Sequence, residues 1–368
     1  MKLKKKISWL MRTVQRSLFP HLDEHLPFPM TGQEKRLIKI LEIAQVEKYV
    51  PKSVATQRFG RKIKEREAIA RSYIAKAVYK YPHTRSLVHA LRTTPNLRSI
   101  CGFARCKDVP SEATFSRAFA EFAASDLGKR VHDAQVKEHM SQELIGHISR
   151  DSTAIEGREK PARKPKKLNV QKKKGRPAKG EERAPVPAKR LDVQFRQALG
   201  ESLAELPTAC DRGVKRNAKG FAEAWDGFKL HVDVNDCGLP ISAILTSASL
   251  HDSQTAIPLM KMTSQKVTYC YDLMDAAYDA RQIWKASREL GHVPIIDMNP
   301  RNKDFAPMAP HEAARYNERS AAERFNSSLK DSFGGRNVMV KGATKVFQHL
   351  MFGVVALFAD QLLKLTCG

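Results

Sequence analysis

Tyr316-Asn-Glu-Arg319-Ser-Ala-Ala-Glu323-Arg-Phe-Asn-Ser-Ser-Leu-Lys330 is the stretch from which the rest of this chain can be read. On an α-helix each residue advances about 100°, which sets Arg319, Glu323 and Lys330 at roughly 300°, 340° and 320° from Tyr316. All four then share one stripe. Ala314, Ala321, Phe325 and Leu329 fall on the opposite side. A helix with an acid and two cations on one stripe and an apolar back docks on a core and turns its charges to a cleft. The plainer alternative is a solvated helix on which Glu323 pairs with Arg319 and Lys330.

Working outward, two strand-like runs carry aspartates. Leu144-Ile-Gly-His-Ile-Ser-Arg-Asp151-Ser-Thr-Ala-Ile155 is one. Val267-Thr-Tyr-Cys-Tyr271 is the other, and it leads into Asp272-Leu-Met-Asp275-Ala-Ala-Tyr-Asp279. Between them Phe228-Lys-Leu-His-Val-Asp-Val234, the turn Asn235-Asp-Cys-Gly238 and Leu239-Pro-Ile-Ser-Ala-Ile-Leu245 read as a hairpin. A helix over 280–290 and a fifth strand over 293–298 follow. A meander that gives way to alternating strands and helices predicts an α/β fold, a mixed sheet flanked by helices.

Charge points to the partner. The 368-residue chain has 64 Lys and Arg against 39 Asp and Glu, a formal net charge of +25. Residues 158–190 hold 14 Lys and Arg, three Glu, five Pro and two Gly. That composition cannot build a packed core, so the segment reads as a flexible basic loop. The remainder is still strongly basic, as a nucleic-acid-binding protein would be.

With these residues in place the chain resembles the DDE transposases of bacterial insertion sequences, in the subgroup named for its Y-R-E-K signature. The resemblance rests on Tyr316, Arg319, Glu323 and Lys330, on Asp275-Ala-Ala-Tyr-Asp-Ala280 and on Asp151-Ser-Thr-Ala. It also takes in Gly227-Phe-Lys-Leu-His231 and Leu250-His-Asp-Ser253, with a weaker echo over 87–122. It implies a ribonuclease-H-like catalytic domain over 139–368 and an all-helical DNA-binding region over 1–138. It implies Asp151, Asp275 and Glu323 as catalytic carboxylates holding two Mg²⁺ or Mn²⁺ ions, with Asp151 bridging both. Tyr316, Arg319 and Lys330 would hold DNA phosphates. Its partners would be duplex DNA, as terminal inverted repeats and target, and a second copy in the DNA complex.

The chemistry asks for such a set, because hard divalent cations take carboxylate oxygens. The second aspartate is Asp275 on the family pattern, with Asp272 the alternative. Asp279 reads as a helix cap and Asp297 as a turn residue. His231 and His251 read as satisfied histidines at a strand end and a helix start. Only 48 positions separate Asp275 from Glu323, which leaves no space for the β-rich insertion of some relatives. Within the basic loop, Lys172, Lys173, Lys174 and Arg176 are candidate DNA contacts, and Gly175-Arg-Pro177 resembles an AT-hook.

No apolar run reaches membrane-spanning length, and the longest, 350–358, sits in an expected helix over 344–365. Six cysteines without a Cys-x2-Cys pair fit a reducing cytoplasm. Residues 33–138 read as helical. Leu87, Leu91, Leu97 and Ile100 form one core face, Phe115, Phe119 and Phe122 form another, and Ser111 is a helix start. That region is expected to grip DNA or to serve as a packing module.

Overall fold

The computed structural model describes residues 28–51, 66–162, 188–216, 219–299 and 307–367. Most of the basic segment, including Lys172, Lys173, Lys174 and Arg176, lies outside the described residues.

The described residues begin with helices α1 (Gly32–Ala44), α2 (Arg66–Val78), α3 (Thr84–Thr93), α4 (Pro95–Cys101), α5 (Glu112–Ala124) and α6 (Leu127–Met140). Thr31 and Glu34 close a capping box at the start of α1, each side chain accepting from the other's backbone amide at 3.2 and 2.7 Å. Ser111 stands at the N-cap position of α5 as its sequence predicts. Leu87, Leu91, Leu97, Ile100, Phe115, Phe119 and Phe122 are all buried, so both expected core faces form.

A mixed sheet follows. Strand β1 (Leu144–Glu156) is central. Helices α7 (Arg190–Arg196) and α8 (Leu199–Ala204) precede β2 (Asp211–Arg216), β3 (Ala222–Asn235) and β4 (Pro240–Ser247). Then come α9 (Ser253–Ser264), β5 (Thr268–Met274), a 3₁₀ turn (Ala276–Tyr278), α10 (Arg281–Glu289) and β6 (Val293–Ile296). Strand β3 runs antiparallel to β1, and β5 and β6 run parallel to it. Strand β4 pairs with residues 228–234 of β3. The order β4–β3–β1–β5–β6 is the expected ribonuclease-H-like sheet. Every residue of β4 is buried, which is why its sequence is apolar on both faces. Gly227 marks where β3 bends past β1, since a Cβ there would collide with the Ile155 carbonyl oxygen.

Strand β2 is absent from the sequence reading. It pairs with Ala222–Gly227 of β3, and its Asp-Arg-Gly-Val-Lys-Arg composition has no hydrophobic alternation to reveal it.

The C-terminal part holds α11 (Pro310–Tyr316), a 3₁₀ turn (Asn317–Arg319), α12 (Ser320–Ser332) and the 25-residue α13 (Ala343–Cys367). By length and composition α13 could cross a membrane, beyond what its sequence suggests, but 83% of its apolar window is buried inside the protein. It packs against α1, α2, α5 and α6 on one side and α12 and β4 on another. Phe352 stacks on Tyr73 with centroids 5.6 Å apart and meets Phe119 and Phe122 edgewise or tilted. One buried core therefore runs from the first helices into the sheet.

Two expectations need correction. Tyr316 and Lys330 do not share one α-helix, because the 3₁₀ turn Asn317–Arg319 joins α11 to α12. Ala314 is exposed and does not belong to the apolar back, which Ala321, Phe325 and Leu329 do form.

Candidate active site

Asp151 lies within β1, five residues before its end. Neighbouring residues on a strand face opposite sides. Arg150 accordingly faces α9 and α10, and Asp151 faces α12, where Asn326 Nδ2 donates to its Oδ2 at 3.1 Å. Strands β1 and β5 pair Ile148 with Asp272 and Ser149 with Leu273. Two residues on, that register sets Asp275 beside Asp151, with strands about 4.8 Å apart. Asp275 stands just past the end of β5 and accepts from the Ala277 amide at 3.0 Å.

The electrostatics follow from this proximity. Burial pushes the Asp151 carboxyl up to about 6; the Ser152 amide opposes the rise and the Asp275 carboxylate adds to it. Burial also raises Asp275, against the Ala277 amide, with Asp252 and Asp297 adding and Arg319 opposing. Two carboxylates in one partly desolvated place repel each other.

Arg319 is the cation that acts on both carboxyls. Its guanidinium lies over the Tyr316 ring, 5.6 Å from the centroid, and donates to Glu323 Oε1 at 2.6 Å. Burial lowers its pKa, but Tyr316, Glu323, Asp151 and Asp275 together raise it. Glu323 is 55% exposed and Arg319 only 22%. The helical ion pair anticipated as the plain alternative is thus real for Arg319 and Glu323. Lys330 makes no such pair. It is half-buried, and burial followed by Lys215 and Arg336 holds its pKa below the ordinary lysine value, with Glu156 and Asp331 opposing. Of these three cations Lys215 lies 3.6 Å from Glu223 and Arg336 2.6 Å from Asp331.

The acids around Asp275 separate by environment. Asp272 is fully buried, 3.2 Å from Arg150, and accepts from Tyr269 and Ser287. Arg150 also donates to Asp233 Oδ2 at 2.7 Å, and Thr263 donates to the same oxygen at 2.6 Å. This network ties β1, β3 and β5 to α9 and α10. Asp279 does not cap the next helix. Ala280 is its N-cap residue, and Asp279 accepts from Trp284 Nε1 and the Asn299 amide, both at 3.1 Å. Asp297 follows β6 and bonds back through its amide to the Met274 carbonyl.

Two motifs left without a role by the sequence meet at the start of α9. Lys229 Nζ lies 2.9 Å from Asp252 Oδ1, and the buried His231 takes Thr246 and Thr255 as hydrogen-bond partners. Burial pushes Asp252 up, but His231, Lys229 and the Ser152 hydroxyl outweigh it and hold the carboxyl below the usual range. Asp252 therefore adds negative charge beside Asp151 and Asp275. His251 turns Nδ1 to Ser253 Oγ at 2.9 Å, a local contact at the helix start.

Among the described residues no three His, Cys, Asp or Glu side chains lie close enough to form a metal cage. The structure brings Asp151 and Asp275 together and leaves Glu323 on Arg319. The donor chemistry still suits a hard divalent cation. Two desolvated carboxylates with raised pKa values would be relieved by one, and Glu323 lies one turn before Asn326, which already touches Asp151.

Residues 207–359 match the Transposase DDE domain family, and residues 22–121 match a second family, Transposase domain (DUF772). The first match contains Asp275, Tyr316, Arg319, Glu323 and Lys330, and begins after Asp151. No curated protein and no solved structure matches the chain.

Proposed function

The chain belongs to the DDE transposase family, and from that premise we propose that it cuts the ends of an insertion sequence and joins the freed 3′-hydroxyl to target DNA. In the first step water attacks the scissile phosphorus, the P–O3′ bond breaks and the 3′ oxygen leaves with a proton. In the second that hydroxyl attacks a target phosphodiester and the target's own 3′ oxygen departs. The observation that carries this reading is the meeting of Asp151 and Asp275 where β5 ends beside the central strand, with Arg319 acting on both carboxyls.

In this reading Asp151 and Asp275, joined by Glu323 once it leaves Arg319, hold two Mg²⁺ or Mn²⁺ ions. Such ions neutralise the phosphate and activate an oxygen nucleophile. Arg319 then turns its planar fork to a phosphate near the cleaved end, and Tyr316 supports the guanidinium. Lys330 supplies a point charge further along. Asn326 holds the Asp151 carboxylate in orientation, and the Lys229–Asp252 pair fixes the start of α9 beside it.

The helical region 1–138 and the basic segment 158–190 grip the duplex, while 139–368 carries the chemistry. Two copies act in the DNA complex, in the cytoplasm at the bacterial nucleoid. A second reading, a transposase-derived DNA binder without cleavage, is favoured by the Arg319–Glu323 pair. One assay separates them, using purified protein, Mg²⁺ and a duplex carrying the inverted repeats that flank its gene. Cleavage lost in both Asp151→Asn and Asp275→Asn, with binding retained, supports the transposase. Binding without cleavage by the unmodified protein supports the binder.

A further inference from the structure

Away from the carboxylates, a cavity of about 300 Å³ opens between the N-terminal helices and the start of α13. Lys76 of α2, Thr84, Ser116, Arg158, Lys341 and Lys345 line it. Lys76 is the unusual member. It is only 7% exposed, yet no acceptor and no carboxylate meets its ammonium among the described residues. Buried cations are otherwise paired. Burial pushes this one down to about 8, with no neighbouring charge compensating. Among the described residues the only acid on the cavity wall, Glu112, is exposed and faces Arg85 at 3.4 Å. Arg158 donates to the Met339 carbonyl at 3.1 Å, which ties the chain leaving β1 to the segment before α13. Lys345 stands in the first turn of α13, the positive end of a 25-residue helix.

From this geometry we infer that the cavity is a phosphate site for the backbone of duplex DNA, with Lys76 as its buried anchor and Lys341, Lys345 and Arg158 at its mouth. The inference rests on the transposase reading, which supplies the DNA. Duplex DNA is favoured over a free anion by position. Arg158 lies two residues past Glu156, which Lys330 faces, and Arg158 and Lys341 both line the cavity.

The experiment compares Lys76→Met with the unmodified protein for duplex binding across a salt series, and for melting temperature with and without inorganic phosphate. The expected result is weaker binding, a slope of log K against log salt smaller by about 0.9, and a melting temperature equal or higher. Unchanged affinity and slope with a raised melting temperature would overturn the inference and leave Lys76 as an unfavourably buried lysine. Should Lys76→Met fail to fold, Lys341→Gln/Lys345→Gln at the exposed mouth carries the same readout with the same two outcomes. Stabilisation by phosphate that disappears in the variant, with duplex binding intact, would make this a small-anion site and overturn the DNA assignment. If the unmodified protein itself binds no duplex, the transposase reading falls first; equal binding by both proteins overturns only the cavity.

Discussion

Arg150 and Asp272 are fully buried against each other, 3.2 Å apart, on the face of the sheet opposite Asp151. That contact separates two aspartates which their sequence leaves as alternatives. Asp272 is a buried counter-ion, and Asp275, three residues on, is held by a backbone amide beside Asp151. Removing one partner of a buried ion pair costs about 3–5 kcal/mol. Asp272→Asn should therefore lower stability by that order in urea unfolding. Asp275→Asn should leave it unchanged or raised. Equal losses in the two variants would contradict this division.

Asp151 should weaken the fold at neutral pH. Its carboxyl is raised from 3.8 to about 6, so the folded protein binds this proton more tightly than the unfolded chain does. The contribution is fully present below pH 4 and is lost as pH rises through about 6. Asp151→Asn should accordingly stabilise the metal-free protein at pH 7.5, on the order of 1–3 kcal/mol, and do little at pH 4. Mg²⁺ should raise the melting temperature of the unmodified protein more than that of the variant, and EDTA should reverse the difference. Thermal melts at both pH values, with and without the metal, check all three.

Acid should act through His132 and His231. Burial pushes both down to about 4, and both are already hydrogen-bonded, His132 to the Pro240 carbonyl and His231 to two threonines. The unfolded chain binds their protons first, as it does that of His349, which burial pushes down to about 3, so stability should fall as pH drops from 6.5 towards 3 and level off below. Asp151 works in the opposite direction between pH 6 and 4. The acid slope of melting temperature should therefore be steeper in Asp151→Asn than in the unmodified protein.

Arg319 tests whether its ion pair is structural or functional. An exposed i,i+4 pair contributes about 0.3–0.5 kcal/mol. Arg319→Gln should leave the melting temperature nearly unchanged and strongly impair end cleavage or strand transfer. Arg319→Lys should restore little, because an ammonium cannot replace a planar fork over Tyr316. Unimpaired transposition by Arg319→Gln would reduce the pair to a surface contact.

Gly227 offers a test of the fold beneath the site. Alanine there would drive a Cβ into the Ile155 carbonyl oxygen and the Gly157 amide, so the β1–β3 ladder must shift. Gly227→Ala should destabilise by about 1–3 kcal/mol, the cost of overpacking, and lower soluble yield.

Elements whose residues follow a regular period were legible. The hairpin, the central strand and α13 all follow from alternation or from apolar periodicity, and Asp151 and Asp275 follow from the motifs around them. Strand β2 escaped because its buried positions are Asp211 and Gly213 and its only apolar side chain, Val214, is exposed, so no hydrophobic alternation marks it. The break at Asn317–Arg319 escaped because a 3₁₀ turn shifts the helical phase without changing composition. Asn326 and Asp252 were missed for a different reason. Each acts through a partner far away in sequence, Asp151 for one and Lys229 for the other, and no local spacing encodes such a meeting.

The position of α13 has a consequence for how the protein is made. The N-terminal helices bury their aromatic residues against Phe352, and the central sheet rests on the same helix. A nascent chain that has emerged as far as Met140 carries the helices Gly32–Ala44 to Leu127–Met140, which pack on one another but lack Phe352 and the rest of α13. They must wait about two hundred residues of synthesis for the segment that seals them, exposed meanwhile to chaperones and proteases. A chain ending at residue 342 should leave Arg66–Val78 and Glu112–Ala124 open to limited proteolysis, and the full chain should protect them. The fold would then close only when synthesis is nearly complete, and the delay itself would set the earliest moment at which a new copy could act.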